Sequence, residues 1–299
     1  FLTAEIIGAL FFVLLFKKKV LPAYGGESGA LAAGVRSVFG FGFLFFFANL
    51  GWNVLNSIDR FMVTYYLPVE QYGFYSMAAQ VITAFNIISG TVGTALVPSL
   101  AVARSLGDGR VFDRQIQSVS RFSLIALVPI TAIAFVLSGD FFHLVLPRFL
   151  ASVPIIRILA FIGFVDVFCR VAWSALVAHG RGGQVAFAYI AASVWNIVWN
   201  RLLIPPYGLT GAAAATLSSF VLLALLLQMM MRRASGTNVR PMNLVHPLLA
   251  SLVYWLLALL LSGQSHLLRL LAVSLGLAFE LLPLDPRRRP GDLVDAGVD

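Results

Sequence analysis

Charged side chains are scarce in this chain of 299 residues: 11% are Asp, Glu, Lys or Arg, against about 25% in an ordinary soluble domain. Hydrophobic residues make up 60% of the chain, and the mean hydropathy is +0.90. One soluble core cannot hide so much apolar surface, so lipid must solvate a large part of it. The composition excludes a soluble globular domain and predicts a polytopic membrane protein.

Potential metal ligands and catalytic groups are scarce as well. The single cysteine, Cys169, excludes an intrachain disulfide and a site built from several cysteines. No glycine-rich phosphate loop and no acidic pair suited to a sugar-nucleotide metal is present. The four histidines fall at predicted helix ends or in loops without metal-ligand spacing, at positions 143, 179, 246 and 266. These absences argue against an enzyme and predict no cofactor and no metal.

Long apolar runs divide the chain into nine predicted membrane-spanning helices. No segment has the alternating pattern of a barrel strand, so the predicted fold class is all-α, a polytopic transmembrane helical bundle. The amphipathic segment 139–150 predicts a short helix lying in the membrane interface. The nine helices cover residues 1–16, 37–66, 70–97, 115–137, 151–178, 183–204, 209–231, 245–262 and 266–282.

The basic residues predict the orientation of these helices. Most of the 21 Lys and Arg residues fall in alternate connections, and short loops rich in them stay on the cytoplasmic side. Residue 1 is therefore predicted to be extracytoplasmic and Asp299 cytoplasmic. This placement explains the net charge of +8 without nucleic acid as a partner. Because Phe1 lies inside an apolar run, we expect the sequence to be a piece of a longer protein.

Hydrophilic residues recur along one face of three predicted helices. In the second helix they are spaced by about one turn, and the third and sixth helices have similar seams. Packing between helices explains any single seam, whereas three together, one with an arginine, favour a hydrated cavity. The seams contain Asn49, Asn53, Asn56 and Arg60 in the second helix, Gln80 in the third, and Asn196 and Asn200 in the sixth.

Two further features place charge inside the apolar helices. Asp166 and Arg170 are four residues apart and can neutralise one another, either as a structural ion pair or in a substrate or coupling role. Asp59 and Arg60 lie in a predicted helix about 45 Å long, which exceeds a hydrocarbon core of about 30 Å. That helix either tilts or bends, or its two charges sit in the outer interface.

Three motifs resemble a known family. The motifs are WNIVWNRLLIPPYGLTGAAAATLSS at 195–219, SIDRFMVTYYLPVEQYGFYSMAA at 57–79 and LVPSLA at 96–101. They are similar to stretches of the O-antigen and exopolysaccharide flippases. These are polysaccharide biosynthesis proteins of the multidrug/oligosaccharidyl-lipid/polysaccharide (MOP) superfamily, which is MATE-like. Proline and glycine at 205–208 also suit a tight helix reversal on physical grounds.

The resemblance implies a fourteen-helix transporter of which this chain has the sixth to fourteenth helices. The implied domains are the last helix of the N-terminal lobe at 1–20, a cytoplasmic linker at 21–36 and a six-helix C-terminal lobe at 37–232. Two additional helices follow at 245–282, and 283–299 is a cytoplasmic disordered tail, as its composition also predicts.

The implied function is transport of an undecaprenyl-diphosphate-linked oligosaccharide across the bacterial inner membrane by alternating access. The resemblance also implies coupling to H⁺ or Na⁺, for which Asp59 and Asp166 are the candidate groups. Implied partners are that lipid, membrane lipids and other polysaccharide-assembly proteins. With the polar seams, the resemblance gives ten candidate cavity residues: Asn49, Asn53, Asn56, Asp59, Arg60, Gln80, Asp166, Arg170, Asn196 and Asn200.

Three alternatives remain open at this point. A multidrug cation antiporter of the same superfamily is expected to have an acidic, aromatic-lined cavity, and a peptidoglycan-precursor flippase differs in its headgroup. A membrane polysaccharide polymerase or ligase is expected to use a large outer loop, whereas the longest predicted outer connection is about residues 138–150.

Overall fold

The computed structural model describes residues 28–237, and all regular structure in that range is helical. The all-α prediction is therefore confirmed for the described residues. The predicted helices at 1–16, 245–262 and 266–282, and the tail 283–299, lie outside them. The helices are α1 (Ser28–Tyr66), α2 (Val69–Ser105), α3 (Gly109–Val145), a 3₁₀ helix (Pro147–Ser152), α4 (Val153–Ala178) and α5 (Gly182–Ser235).

Three helical stretches within residues 28–237 are long and apolar enough to cross a membrane: α2, the run Pro147–Ala178 and α5. The chain is thus a membrane protein with several apolar helices, and the count of nine spans stays a prediction. Residues 28–36, predicted as part of a linker, form the first turns of α1.

The longest helix, α5, is a hairpin of two arms, 182–207 and 209–235. Its 54 residues break at Gly208, whose φ of 58° and ψ of −134° are not helical. The Trp195 indole N–H donates to Ser218 Oγ over 3.2 Å, a contact that a straight helix cannot make because these residues would lie about 35 Å apart. Gly211 packs so tightly at the reversal that a Cβ there would collide with the Leu203 carbonyl.

The predicted interfacial helix at 139–150 is wrong. Residues 139–145 continue α3, and the 3₁₀ helix begins at Pro147. A single glycine such as Gly139 costs a helix only about 1 kcal/mol, and α3 continues through it. Proline, by contrast, lacks the N–H that the next helical turn needs, so the boundary falls at Pro147.

Small residues bring the helices that carry the polar seams into direct contact. A Cβ on Gly51 of α1 would lie 2.9 Å from the Cβ of Tyr189 on α5, and Ser193 Oγ donates to the Gly51 carbonyl over 3.0 Å. Ser174 of α4 donates to the Gly93 carbonyl of α2 over 2.9 Å. Close backbone approach of this kind is typical of helix packing in membranes, and here it places α1, α2, α4 and α5 around a shared polar interior.

Candidate functional site

Asp166 and Arg170 form the ion pair that their spacing predicts. Arg170 Nε lies 3.2 Å from Asp166 Oδ2, and the carboxylate is fully buried. Ser89 of α2 donates a second hydrogen bond to the same oxygen. A buried charge needs such compensation because the interior screens it poorly.

Arg170 also joins a chain of amides that crosses three helices. Its Nη2 donates to Asn86 Oδ1 on α2 over 3.1 Å, and Asn86 Nδ2 donates to Asn56 Oδ1 on α1 over 3.2 Å. The guanidinium carbon lies 4.4 Å from the centre of the Trp52 ring, within the range of a cation–π contact. Arg170 is therefore held by a carboxylate, an amide and an aromatic ring.

Asp59 is buried in a different way, among hydroxyl groups. Tyr75 donates to its Oδ2 over 2.6 Å, and Thr216 of the second arm of α5 donates to the same oxygen over 3.4 Å. The backbone N–H of Arg60 donates to Oδ1 over 2.8 Å. Within residues 28–237 Asp59 makes no ion pair. The contacts join α1, α2 and α5 at one buried carboxyl group.

Arg60 lies beside Asp59 in sequence but has few partners. Its Nε is buried and has no hydrogen-bond acceptor among the described residues. The side chain lines a cavity of about 170 Å³ between α1, α2 and α5, which we call the small cavity. The polar residues that line it are Asn56, Asp59, Arg60, Thr83, Asn86 and Thr216.

A second cavity of about 470 Å³, the large cavity, shares Trp52 and Asn86 with the small one. The described residues that line it include no Asp or Glu, and Arg170 is the one cationic group among them. The ion pair with Asp166 compensates that charge. Amides, hydroxyls and aromatic rings provide the rest of its polar wall: Asn49, Asn86, Thr91, Thr94, Trp52, Trp173 and Tyr189.

The structure places the other candidate residues elsewhere. Asn53 is exposed and donates to the Asn49 carbonyl one turn back, over 2.9 Å. Gln80 is exposed and lines a mainly apolar groove of about 570 Å³ between α2 and α3. Asn196 and Asn200 are fully buried and share a 2.8 Å hydrogen bond, with Asn196 Nδ2 and Asn200 Oδ1 unpartnered among the described residues. These four line neither the small nor the large cavity.

Four residues that hydrogen-bond to the candidate residues from other helices are absent from the sequence-based set. Asn86 follows Thr83 by three positions and extends the polar seam of the third predicted helix, so its spacing could have revealed it. Thr216 belongs to the motif at 195–219 but looks like a packing residue there. Tyr75 and Ser89 carry no signal in the sequence, because their partners Asp59 and Asp166 lie on other helices.

Comparison with known proteins agrees with this architecture. Residues 29–154 match the family described as "Polysaccharide biosynthesis protein". The "Putative O-antigen transporter" of Shigella flexneri is 28% identical over 204 residues, which cover 64% of this chain and 47% of that protein. An uncharacterized membrane protein of Methanocaldococcus jannaschii is 22% identical over 227 residues, covering 75% of this chain and 45% of that protein. The chain thus spans about half the length of these relatives.

Solved structures share the fold. An outward-facing multidrug resistance MATE family transporter of the MOP superfamily matches with a TM-score of 0.58 and 17% identity, covering 80% of this chain and 61% of that chain. A MOP superfamily transporter from Pyrococcus furiosus matches with a TM-score of 0.56 and 19% identity over the same shares. The predicted resemblance to MOP-type polysaccharide biosynthesis proteins is confirmed, and the described helices have the MATE-like fold.

Proposed function

We propose that this homologue of polysaccharide-biosynthesis transporters moves a polyprenyl-diphosphate-linked oligosaccharide across the bacterial inner membrane, for assembly of a cell-surface polysaccharide. In this proposal the six helices of 37–232 form one lobe of an alternating-access transporter. The lipid tail stays in the bilayer while the headgroup crosses through the polar interior between helices. Undecaprenyl diphosphate is the carrier that we propose.

One observation carries the proposal: Arg60 lines a cavity inside an apolar helix bundle while its Nε has no acceptor among the described residues. An arginine in the membrane is costly, by about 2.5–3.5 kcal/mol on insertion scales, and generally marks a substrate path or a buried pair. Guanidinium donors match the oxygens of a phosphate group. A diphosphate headgroup satisfies both the charge and the donor.

The proposal includes coupling to H⁺ or Na⁺, with Asp59 as the preferred group. Asp166 is compensated by Arg170. Asp59 has hydroxyl donors and one backbone N–H instead of an ion pair in the described part of the chain. Asp59 therefore provides a carboxyl group in the wall of the small cavity to which a cation or proton can bind.

The proposal is tested by transport in proteoliposomes made with the native-length protein. A fluorescent polyprenyl-diphosphate disaccharide is placed in both leaflets, and the fraction that an impermeant quencher reaches is followed over time. We expect Arg60→Ala to slow translocation at least tenfold, because one charge-assisted contact to phosphate contributes about 1.5–3 kcal/mol. The exposed Arg201→Ala is the matched control, and equal rates for Arg60→Ala and wild type refute the proposed site.

The same vesicles discriminate the alternatives. A cation antiporter would export a dye such as ethidium against a Na⁺ or proton gradient, and a peptidoglycan-precursor flippase would prefer that precursor over the disaccharide lipid. A polymerase or ligase would lengthen or transfer the glycan, which mass spectrometry of the lipid fraction detects. We expect translocation of unchanged disaccharide lipid. Of these classes, transporters are the ones represented among the fold neighbours described above.

A further inference from the structure

The two cavities differ in the chemistry of their walls. The small cavity has the cationic Arg60, whose Nε lacks an acceptor among the described residues, and the carboxyl group of Asp59, at which the proposed coupling H⁺ or Na⁺ binds. The large cavity is lined by Arg170, whose charge Asp166 balances, by amides, hydroxyls and aromatic rings, and by the small or apolar residues Ala48, Ile87 and Gly90. When the coupling ion neutralises Asp59, the first wall suits an anion, whereas the second suits a neutral, hydroxyl-rich group.

The volumes of the two cavities point to the same division between a small charged group and a larger neutral one. A volume of about 170 Å³ is that of roughly six waters in the liquid, at about 30 Å³ each, which is room for a small charged group. The large cavity, at about 470 Å³, lies in the range of about 300–1,000 Å³ that is typical of ligand pockets. The two are contiguous, since Trp52 and Asn86 line both.

We propose that the two cavities are compartments of one headgroup site: the small cavity takes the diphosphate against Arg60, and the large cavity takes the first sugars against Asn86, Trp173 and Arg170. This inference rests on the proposed function and assigns its headgroup to positions. Arg170 acts here as a hydrogen-bonding and positioning residue, because its contacts to Asp166, Asn86 and Trp52 leave its charge compensated.

Two threonines of α2 mark two positions along the site. Thr83 lines the small cavity and Thr94 the large one, and both are exposed. They lie about three helical turns, or about 16 Å, apart on the same face of α2. A diphosphate bound at the level of Thr83 therefore leaves the level of Thr94 open to the sugars attached to it.

Cysteine protection tests the assignment in the native-length protein. Thr83→Cys and Thr94→Cys are each introduced and labelled with a water-soluble maleimide, and the parent protein reports the labelling of the buried Cys169. The probes are undecaprenol, undecaprenyl diphosphate, and undecaprenyl diphosphate bearing N-acetylglucosamine. We expect both diphosphates to slow labelling of Thr83→Cys at least fivefold, the sugar-bearing probe alone to slow labelling of Thr94→Cys, and undecaprenol to protect neither.

A second pair of variants tests the role of Arg60. In the Thr83→Cys protein, Arg60→Gln is expected to abolish protection by undecaprenyl diphosphate, and Arg60→Lys to retain part of it because the charge remains. Unchanged labelling rates without lipid show that both variants keep the cavity. Protection that persists in Arg60→Gln overturns the assignment of the diphosphate.

The outcomes separate this inference from the proposed function. If neither diphosphate protects either cysteine, the proposed function fails and the inference fails with it. If both diphosphates protect Thr83→Cys but the sugar-bearing one leaves Thr94→Cys fully reactive, the two-compartment site is wrong while the proposed function stands. The two-compartment site is also wrong if the sugar-bearing diphosphate protects neither cysteine while undecaprenyl diphosphate protects Thr83→Cys. It is wrong as well if undecaprenyl diphosphate protects Thr94→Cys as strongly as the sugar-bearing lipid does.

Discussion

The phenolic oxygen of Tyr75 lies 2.6 Å from Oδ2 of Asp59, with both side chains buried. This contact joins the first two described helices next to the cavity that Arg60 lines. Hydrogen bonds to a charged group contribute about 1.5–3 kcal/mol, so the pair fixes the position of α1 against α2 as well as that of the carboxyl group.

Removing the hydroxyl of Tyr75 is expected to destabilise the protein. Tyr75→Phe leaves Asp59 with the weaker 3.4 Å contact from Thr216 and the backbone N–H of Arg60. We expect a loss of about 1–3 kcal/mol, measured as a lower unfolding midpoint in detergent. Tyr72→Phe is the matched control because Tyr72 is 37% exposed, and an equal shift in both variants contradicts the role of the contact.

The amide chain makes a sharper prediction at Asn86. Asn86→Leu removes an acceptor from Arg170 and a donor to Asn56 at once, and it changes the wall of both cavities. We expect translocation of the lipid-linked disaccharide to fall at least tenfold, together with a lower unfolding midpoint. Asn53→Leu makes the same chemical change at an exposed position outside both cavities, and we expect it to transport normally.

The ion pair in α4 predicts a non-additive pair of substitutions. Asp166→Leu alone leaves Arg170 without its carboxylate in a buried site, which costs about 3–5 kcal/mol. Replacing both residues by leucine removes the stranded charge, so we expect the double variant to regain at least half of that loss. Unfolding midpoints of the four proteins in this cycle measure the coupling. Additive effects would show that the pair adds nothing to stability.

Gly51 predicts the effect of a single methyl group. In Gly51→Ala the new Cβ would lie 2.9 Å from the Cβ of Tyr189, and both atoms are attached directly to helix backbones that cannot yield without shifting. We expect about 1–3 kcal/mol of destabilisation. Gly73→Ala in α2 is the control, since no atom lies within 4 Å of its added Cβ and alanine favours a helix; its unfolding midpoint should stay the same or rise.

Local spacing in the sequence predicts part of this site well. The i,i+4 relation brings Arg170 to Asp166, and the helical period brings Asn56 and Arg60 to one cavity. The same reasoning puts Gln80 and Asn86 on one broad polar face of α2 but cannot tell which of them lines a polar cavity. That face is wide enough to touch an apolar groove on one side and the polar cavities on the other. Which side faces α1 and α4 depends on helix packing.

Contacts between helices that are distant in sequence cannot be predicted from local spacing. Asp59 and Thr216 are separated by 157 positions, and neither spacing nor composition relates them. The end of α3 is set locally, by contrast: the helix stops just before Pro147, whereas Gly139 alone does not end it.

The hydroxyl groups of Tyr75 and Thr216 around Asp59 also have a consequence for the order in which the helices assemble. During synthesis from the N-terminus, Tyr75 emerges 16 positions after Asp59, so the two side chains can meet as soon as α1 and α2 pack together. Thr216 emerges much later, on the second arm of α5, and adds the second hydroxyl group beside the Asp59 carboxylate. We therefore expect that the contact from Tyr75 can form before the one from Thr216, and that the later contact ties the second arm of α5 to α1 and α2.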